Sequence, residues 1–513
     1  MKTKSTFYNA AVSIIYYIIT ILLGICNQKV LIAVMGIEYQ GMNGLFSNVI
    51  SMLSIAELGI GFSIIYHLYE PLEKNDISVI QSLMNFYRKC YIGIAVFILG
   101  AGVLIIPGLK HMIHNYSGSH SLFAIYIWFL LDSVCSYLFS YKRSILIADQ
   151  KNYIVVSCDI LYQIGSKLGQ ILILICTHDF IKYLSVMVMS RLINNLIITY
   201  IANRRYPYLK RFKSQPLSFD ILTDIKKKIK GSFFHKIGGF VVMGTDNILI
   251  SKFLGLAAVG IYSNYSLVIN SIKNVCSQTL KASTASVGHL LVGKQVEKNK
   301  EIFTELQIIN GVLTNCAVTG IYCVTTPLIE VIFGKQYLVP EFTLFVLSVN
   351  FYVAGMRTVY GIFKDAGGIQ YEDRWIPVAE AGVNLIASLI FLHYFGLAGV
   401  PMGTIVSSLL LFGYTYPYLI YKRILYQSIR SYWKELLWLG LVSLISMISA
   451  KMICNCVIFK DKMIQIGFNV IISVFISNGL FYFLYACWKK ETKALIVKCK
   501  MFCVGSFFLL RKG

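Results

Sequence analysis

The sequence predicts an all-α, polytopic membrane protein, and three observations carry that prediction. Of 513 residues, 57% are hydrophobic and only 14% charged, with mean hydropathy +0.67, whereas soluble domains are about half apolar and a quarter charged. Apolar stretches of about 20 residues recur from end to end, each long enough to cross a bilayer core of roughly 30 Å. The net charge of +23 collects in the short connections between these stretches. In lipid the backbone of such long runs must be satisfied internally, which leaves helices.

Fourteen spans are expected, over 8–35, 42–69, 79–107, 120–145, 153–176, 180–203, 232–254, 257–291, 302–333, 341–363, 375–395, 398–421, 433–455 and 463–487. The first follows MKTK, is too long for a signal-peptide core and is closed by no small-x-small site, so it reads as a retained span. The segment RRYPYLKRFKSQPLSFDILTDIKKKIKG, 204–231, holds nine Lys/Arg and two Asp. It splits the first twelve spans into six and six. The expected organisation is a six-helix bundle over 1–203, a basic linker over 204–231, a second six-helix bundle over 232–424, two additional helices over 425–488 and a basic interfacial tail over 489–513.

Charge sets the expected orientation. The N-terminus, the connections after even-numbered spans and the tail hold most of the Lys and Arg, from Lys2 and Lys4 through the 204–231 segment to Lys489, Lys490 and Lys493. The opposite side receives Lys110, Lys182, Lys335, Lys460 and Lys462. Cytoplasmic loops carry the excess of basic residues, so both termini are expected in the cytoplasm of a bacterial cell. Topology and attraction to anionic lipid thus account for most of the positive charge, and nucleic acid is not needed as a partner. The 13 cysteines are scattered through apolar runs as small hydrophobes. No Cys/His set has metal-ligand spacing, and no cofactor is expected. His111, His114 and His120 read as a solvated outer loop. A polymerase or glycosyltransferase would carry a large outer loop or an acidic DxD motif, and neither occurs.

Within the apolar spans, polar residues recur at steps of three or four and therefore share helix faces. Span 2 carries Asn43, Ser47, Ser51, Ser54 and Glu57. Span 8 carries Ser263, Ser266, Asn270, Lys273, Asn274, Ser277, Lys281 and Thr284. Span 5 shows Asp159, Gln163, Ser166, Lys167 and Gln170; span 4 shows Asp132, Ser136, Ser140 and Arg143. Arg191 and Asn194 lie mid-span 6, Lys236 and Asp246 in span 7, Arg357 in span 10. An ion at mid-bilayer costs about 2.5–3.5 kcal/mol on the lenient scale. Several such spans together imply a hydrated central cavity. Its candidate cations are Lys167, Arg191, Lys236, Lys273, Lys281 and Arg357; its candidate anions are Glu57, Asp132, Asp159 and Asp246. Asp159 with Lys167 and Asp246 with Lys236 are candidate pairs. Even if every acid is paired, positive charge remains, which calls for an anionic cargo; Lys and Arg are the usual partners of phosphate oxygens. Asn43, Ser47, Ser51, Ser54, Asn270, Asn274, Ser277 and Gln163 are the candidate polar lining, and Glu57 and Asp246 the candidate ion-coupling groups.

The halves echo each other. In GIEYQGMNGLFSN, 36–48, and GLAAVGIYSN, 255–264, Gly36 matches Gly255; after a three-residue gap Gly44, Phe46, Ser47 and Asn48 match Gly260, Tyr262, Ser263 and Asn264. Internal repeats place transport paths at their interface. VLIAVMGIEYQGMNGLFSNVISMLSIAELGIGFSIIYHLYEPLEKND at 30–76, RSILIADQKNYIV at 143–155 and FFHKIGGFVVMGTDNILISKFLGLAAVGIYSNYSLVINSI at 233–272 resemble the polysaccharide transporter, or Wzx-type flippase, family of the multidrug/oligosaccharidyl-lipid/polysaccharide (MOP) exporter superfamily. The resemblance implies two facing six-helix bundles, two added helices, alternating access and no enzymatic activity. It implies an undecaprenyl-pyrophosphate-linked oligosaccharide as cargo, for capsule, O-antigen or exopolysaccharide synthesis. It also brings a polysaccharide polymerase and chain-length machinery in as candidate partners. The rival readings within this superfamily are a lipid II flippase and an exporter of cationic drugs.

Overall fold

Helices form wherever the sequence shows long apolar runs. In this computed structural model no strand occurs among the described residues, which are 2–57, 60–113, 120–210, 216–281, 283–292, 296–369 and 372–488. The tail 489–513, expected at the membrane surface, lies outside them. Nine described helices are long and apolar enough to cross a membrane, ten if one bent pair is a single crossing. The helices of spans 2, 7 and 8 fall outside that count, and spans 11 and 12 enter it as the single stretch Ile376–Lys422. The chain divides into two compact units, Met1–Leu267 and Val268–Gly513. That division lies within the eighth expected span.

In the first unit, α1 (Lys2–Met35) turns through Gly36 into α2 (Ile37–Leu53), and α10 (Phe219–Leu254) turns through Gly255 into α11 (Leu256–Lys281), whose residues from Val268 on belong to the second unit. Both glycines take positive φ, 96° and 87°, a conformation that a Cβ would strain. The two corners pack on each other reciprocally. A Cβ on Gly41 would collide with the Leu256 backbone carbonyl, and a Cβ on Gly260 would collide with that of Ile37. Each contact joins the first residue after one corner glycine to the fifth after the other. The repeat between the corners is therefore ungapped in space: Gly41, not Gly44, is the counterpart of Gly260. Gly44 faces the Ser263 hydroxyl instead, 2.6 Å from where its Cβ would sit. Two polar links close the seam, Gln28 Nε2 to Asn264 Oδ1 and Asn247 Nδ2 to the Gly44 carbonyl at 3.1 Å.

Spans that read as continuous in sequence are broken. Span 2 becomes α2, a 3₁₀ turn over Ser54–Glu57 and α3 (Ile60–Lys74). Ser51 donates to the Asn48 carbonyl at 2.8 Å and Ser54 to that of Ile50 at 3.3 Å; such back-bonding bends helices. Beyond α4 (Ile77–Ile105) and the short α5 (Leu109–Met112), span 4 splits into α6 (Leu122–Leu138) and α7 (Tyr141–Ala148), bent by 45°. There Ser136 and Ser140 likewise spend their hydroxyls on their own backbone. α8 (Asn152–Thr177) and α9 (Phe180–Arg205) complete this part of the unit. Asp179 caps α9 through the amides of Ile181 and Lys182 at 2.8 and 3.3 Å. The second part of the expected linker is not irregular chain: α10 already begins at Phe219, capped by Ser218, and Ile225 is buried. Ile221, Leu222 and Ile225 recur at helical spacing, and the charge run hid that signal. His67 of α3 meets Asp224 of α10 at 3.0 Å.

The second unit holds α12 (Thr284–Val292), α13 (Val296–Ile332), α14 (Glu341–Ala366), α15 (Ile376–Phe395) and α16 (Gly399–Leu410). α16 runs on as a π-helical stretch over Leu411–Lys422 around Pro417; proline lacks the amide an α-turn needs, and π-turns absorb such misfits. α17 (Ile429–Cys456) and α18 (Lys462–Trp488) belong to this unit's core. Asn315 of α13 donates to Ser446 of α17 at 3.3 Å and to the Ser477 carbonyl of α18 at 2.9 Å, and Asn469 of α18 donates to the Cys323 carbonyl at 2.9 Å. In lipid, interhelical hydrogen bonds and close packing substitute for a hydrophobic drive.

Candidate functional site

Ion pairs organise the polar seams of the first unit. Arg191 on α9 makes a bidentate pair with Asp132 on α6, both contacts at 3.0 Å, and its guanidinium lies 5.0 Å from the centre of the Tyr162 ring. Arg143 on α7 pairs with Asp159 on α8 at 2.9 Å, and Asn194 donates to the other oxygen of Asp159 at 2.9 Å. The expected Asp159–Lys167 pair therefore does not form. Helical geometry explains why: Asp159 and Lys167 lie along one helix, while Arg143 and Asn194 approach the carboxylate from neighbouring helices. Lys167 instead donates to Gln170 Oε1 at 3.2 Å, within electrostatic range of Arg191 and Asp132. Beside the two pairs lies a cavity of about 280 Å³, lined by Tyr16, Gln163, Tyr162 and Asn195 together with Arg143, Asp159, Arg191 and the two serines of the α6–α7 bend.

In the second unit Arg357 on α14 pairs with Glu380 on α15 at 2.7 Å, with Ser408 of α16 donating to the same carboxylate at 3.4 Å. Lys364 pairs with Asp373 at 2.5 Å. Lys273 and Lys281, at partly exposed and exposed positions of α11, differ from these two pairs: among the described residues neither, like Lys167, has a carboxylate at ion-pair distance. Lys273 feels the positive charges of both Arg357 and Lys281. Of the polar residues around them, Asn270 and Asn274 are exposed and Ser277 half-buried. Lys236 lies on α10, but its side chain is outside the described residues.

The span 2 residues part company. Asn43 is half-buried and Ser47 exposed, while Ser51 and Ser54 are turned to their own helix. Glu57 sits at the break and accepts from Tyr91 at 2.7 Å; Tyr87 donates to Tyr91 at 3.0 Å and Ser144 to Tyr87 at 3.0 Å. Asp246 accepts from Tyr262 at 3.5 Å, and its Oδ1 is buried without a hydrogen-bond partner. His120 is no freely solvated loop residue: its Nδ1 lies 2.9 Å from the Tyr39 hydroxyl and its Nε2 3.5 Å from Asp179. Among the described residues no group of His, Cys, Asp and Glu could hold a metal ion.

Sequence reasoning missed Glu380, Ser408 and Tyr162. Glu380, Asn384 and Ser388 step by four along span 11, so the rule that exposed the other seams would have found Glu380. Tyr162 had no signal, because a tyrosine in an apolar helix reads as core.

These pairs set the expected effects. Ser51→Ala is expected to change stability by less than about 0.5 kcal/mol, as substitutions away from a buried network do. Asp132→Asn removes the charge from a charge-assisted pair and is expected to cost about 1.5 kcal/mol. Thermal unfolding of the detergent-solubilised protein checks both.

Fold and seams together define a multi-pass helical membrane protein. The chain superposes on the lipid II flippase MurJ in an inward closed conformation with TM-score 0.63 at 14% identity, covering 93% of this chain and 99% of that one. It superposes on an inward-facing multidrug resistance MATE family transporter of the MOP superfamily with TM-score 0.61 at 16% identity, covering 77% and 93%. For a point mutant of the Vibrio cholerae MATE transporter VcmN, the TM-score is 0.54 at 12% identity, covering 82% and 100%. The chain thus has the fold shared by these MOP transporters. No sequence-family profile matches it, and no curated protein matches it in sequence.

Proposed function

We propose that this protein is a flippase that moves undecaprenyl-pyrophosphate-linked oligosaccharide repeat units from the cytoplasmic to the outer leaflet by alternating access. The observation that carries the reading is the charge balance of the polar seams. Arg191, Arg143, Arg357 and Lys364 each have a carboxylate, so among the described seam cations the surplus resides in Lys167, which meets only the Gln170 amide oxygen, and in Lys273 and Lys281, the two that share one helix, α11. Two unneutralised ammonium groups of one sign repel each other and gain most from a doubly charged anion. A pyrophosphate presents clustered oxygens that such groups bind as point charges. This reassigns Arg191 and Arg357, expected from sequence to meet the phosphates directly, to holding helices together through their acids.

The topology read from the loops would place the basic linker and both termini in the cytoplasm. An inside-negative potential would then favour outward movement of an anion by about 2.3 kcal/mol per charge per 100 mV. A second reading, lipid II as cargo, is favoured by the likeness to MurJ across 93% of the chain; it also carries a pyrophosphate, so the same lysines serve it.

Deletion of the protein is expected to make lipid-linked repeat units accumulate on the cytoplasmic leaflet, measured by extraction and accessibility to an added glycosidase. An unchanged pool, with rescue of a strain lacking lipid II flipping, favours the second reading; cationic dye efflux with an unchanged pool contradicts both.

A further inference from the structure

The cavity beside the two arginine–aspartate pairs has a chemistry unlike that of the α11 lysines. We propose that it is a sugar-reading subsite, which takes a neutral hexose-type ring of the cargo while the phosphates are held elsewhere. The inference rests on the flippase reading for the source of the ligand, but on the cavity alone for its chemistry. Its two lining cations are neutralised by Asp132 and Asp159, and Lys167, outside the lining, turns to Gln170, so the lining itself carries no surplus cation for a phosphate. It offers instead many directional groups fixed in place. Arg191 spends Nε and one terminal nitrogen on Asp132, which leaves further N–H donors of the guanidinium free to point elsewhere. Asn195 spends its amide nitrogen on the Cys135 carbonyl at 2.9 Å, leaving its oxygen as an acceptor. Each Asp159 oxygen has one donor and retains a second lone pair. Tyr16 and Tyr162 add ring faces, and Arg191 holds the Tyr162 ring in place.

Fixed donors and acceptors beside aromatic faces match a ring bearing hydroxyls on its edge and C–H groups on its faces. Such a site also discriminates, because an analogue lacking one hydroxyl leaves a buried polar group unpaired, and that costs more than the contact itself gained. The volume, about 280 Å³, is close to the lower limit of roughly 300 Å³ for small-molecule sites. It has room for a single sugar ring.

The test uses the full-length protein carrying Gln163→Cys, in detergent, with the rate of modification by a small methanethiosulfonate read by mass spectrometry at that position. The probes are the oligosaccharide released by mild acid from the host's own lipid-linked pool, inorganic pyrophosphate and tetraphenylphosphonium. The oligosaccharide is expected to slow labelling at least fivefold, and the other two to leave it unchanged. Should Gln163→Cys not fold, Ser136→Cys reports on the same cavity. Equal protection by pyrophosphate, protection by the organic cation alone, or none by the oligosaccharide overturns the subsite. If the lipid-linked pool is unchanged on deletion while the oligosaccharide still protects, the flippase reading falls and the sugar subsite stands. Accumulation on deletion without protection sinks the subsite alone.

Discussion

Gly260→Val is expected to destabilise the protein by about 3 kcal/mol, the upper part of the range for overpacking a tight contact. The obstacle is the backbone carbonyl of Ile37, which cannot rotate away as a side chain would. The only relief is to move the α10–α11 corner away from the α1–α2 corner. Gly41→Ala meets the mirror obstacle, the carbonyl of Leu256, and is relieved by the same displacement. Reciprocity makes a sharper prediction than either substitution alone. If Gly41→Ala and Gly260→Ala each cost about 2 kcal/mol, the double variant should cost nearer about 3 than about 4, because the corners separate once for both. Thermal unfolding of the four proteins measures this; strict additivity would show that the corners yield independently.

Lys273→Glu is expected to reduce transport about a hundredfold. A hydrogen bond to a charged group contributes about 1.5–3 kcal/mol, and each 1.4 kcal/mol is a factor of ten, so loss of the ammonium alone predicts at least about tenfold. The introduced carboxylate then repels the pyrophosphate. Lys281→Glu acts in the same direction from the exposed end of α11. Stability should hold in both, since neither lysine has a carboxylate partner among the described residues to strand. Arg357→Gln differs: it leaves Glu380, 6% exposed, without its ion partner, so folding should suffer before transport does. Comparing protein yield with transport per molecule separates the two kinds of residue.

Much of the fold is legible in the sequence because lipid allows few solutions. Long apolar runs must be helices, and the order of helices follows the order of runs. The bends at Ser54–Glu57 and between α6 and α7 were not legible. They depend on serine hydroxyls turning to their own carbonyls rather than to a neighbouring helix or a ligand, a choice of hydrogen-bond partner that residue type leaves open. The repeat could be seen through Gly36 and Gly255, but its register could not: matching side chains suggested a gap, whereas contact geometry is set by where a backbone carbonyl needs space. The site was half legible. Depth and charge pick out Arg191, Arg357, Lys167, Lys273 and Lys281 alike, yet whether a cation is free depends on acids 59 and 23 residues away in the chain, Asp132 and Glu380. Pairing is a property of helix neighbours, and one sequence does not reveal neighbours.

The most direct measurement is the binding of two synthetic lipids that carry the same oligosaccharide, one through a pyrophosphate and one through a neutral ether, to wild-type protein and to Lys273→Ala/Lys281→Ala in nanodiscs. The account predicts that wild-type protein prefers the pyrophosphate lipid at least tenfold, that salt erodes the preference, and that the double variant loses it while still binding the ether lipid. Equal affinity of the wild-type protein for both lipids, or a preference that survives removal of both lysines, would contradict it.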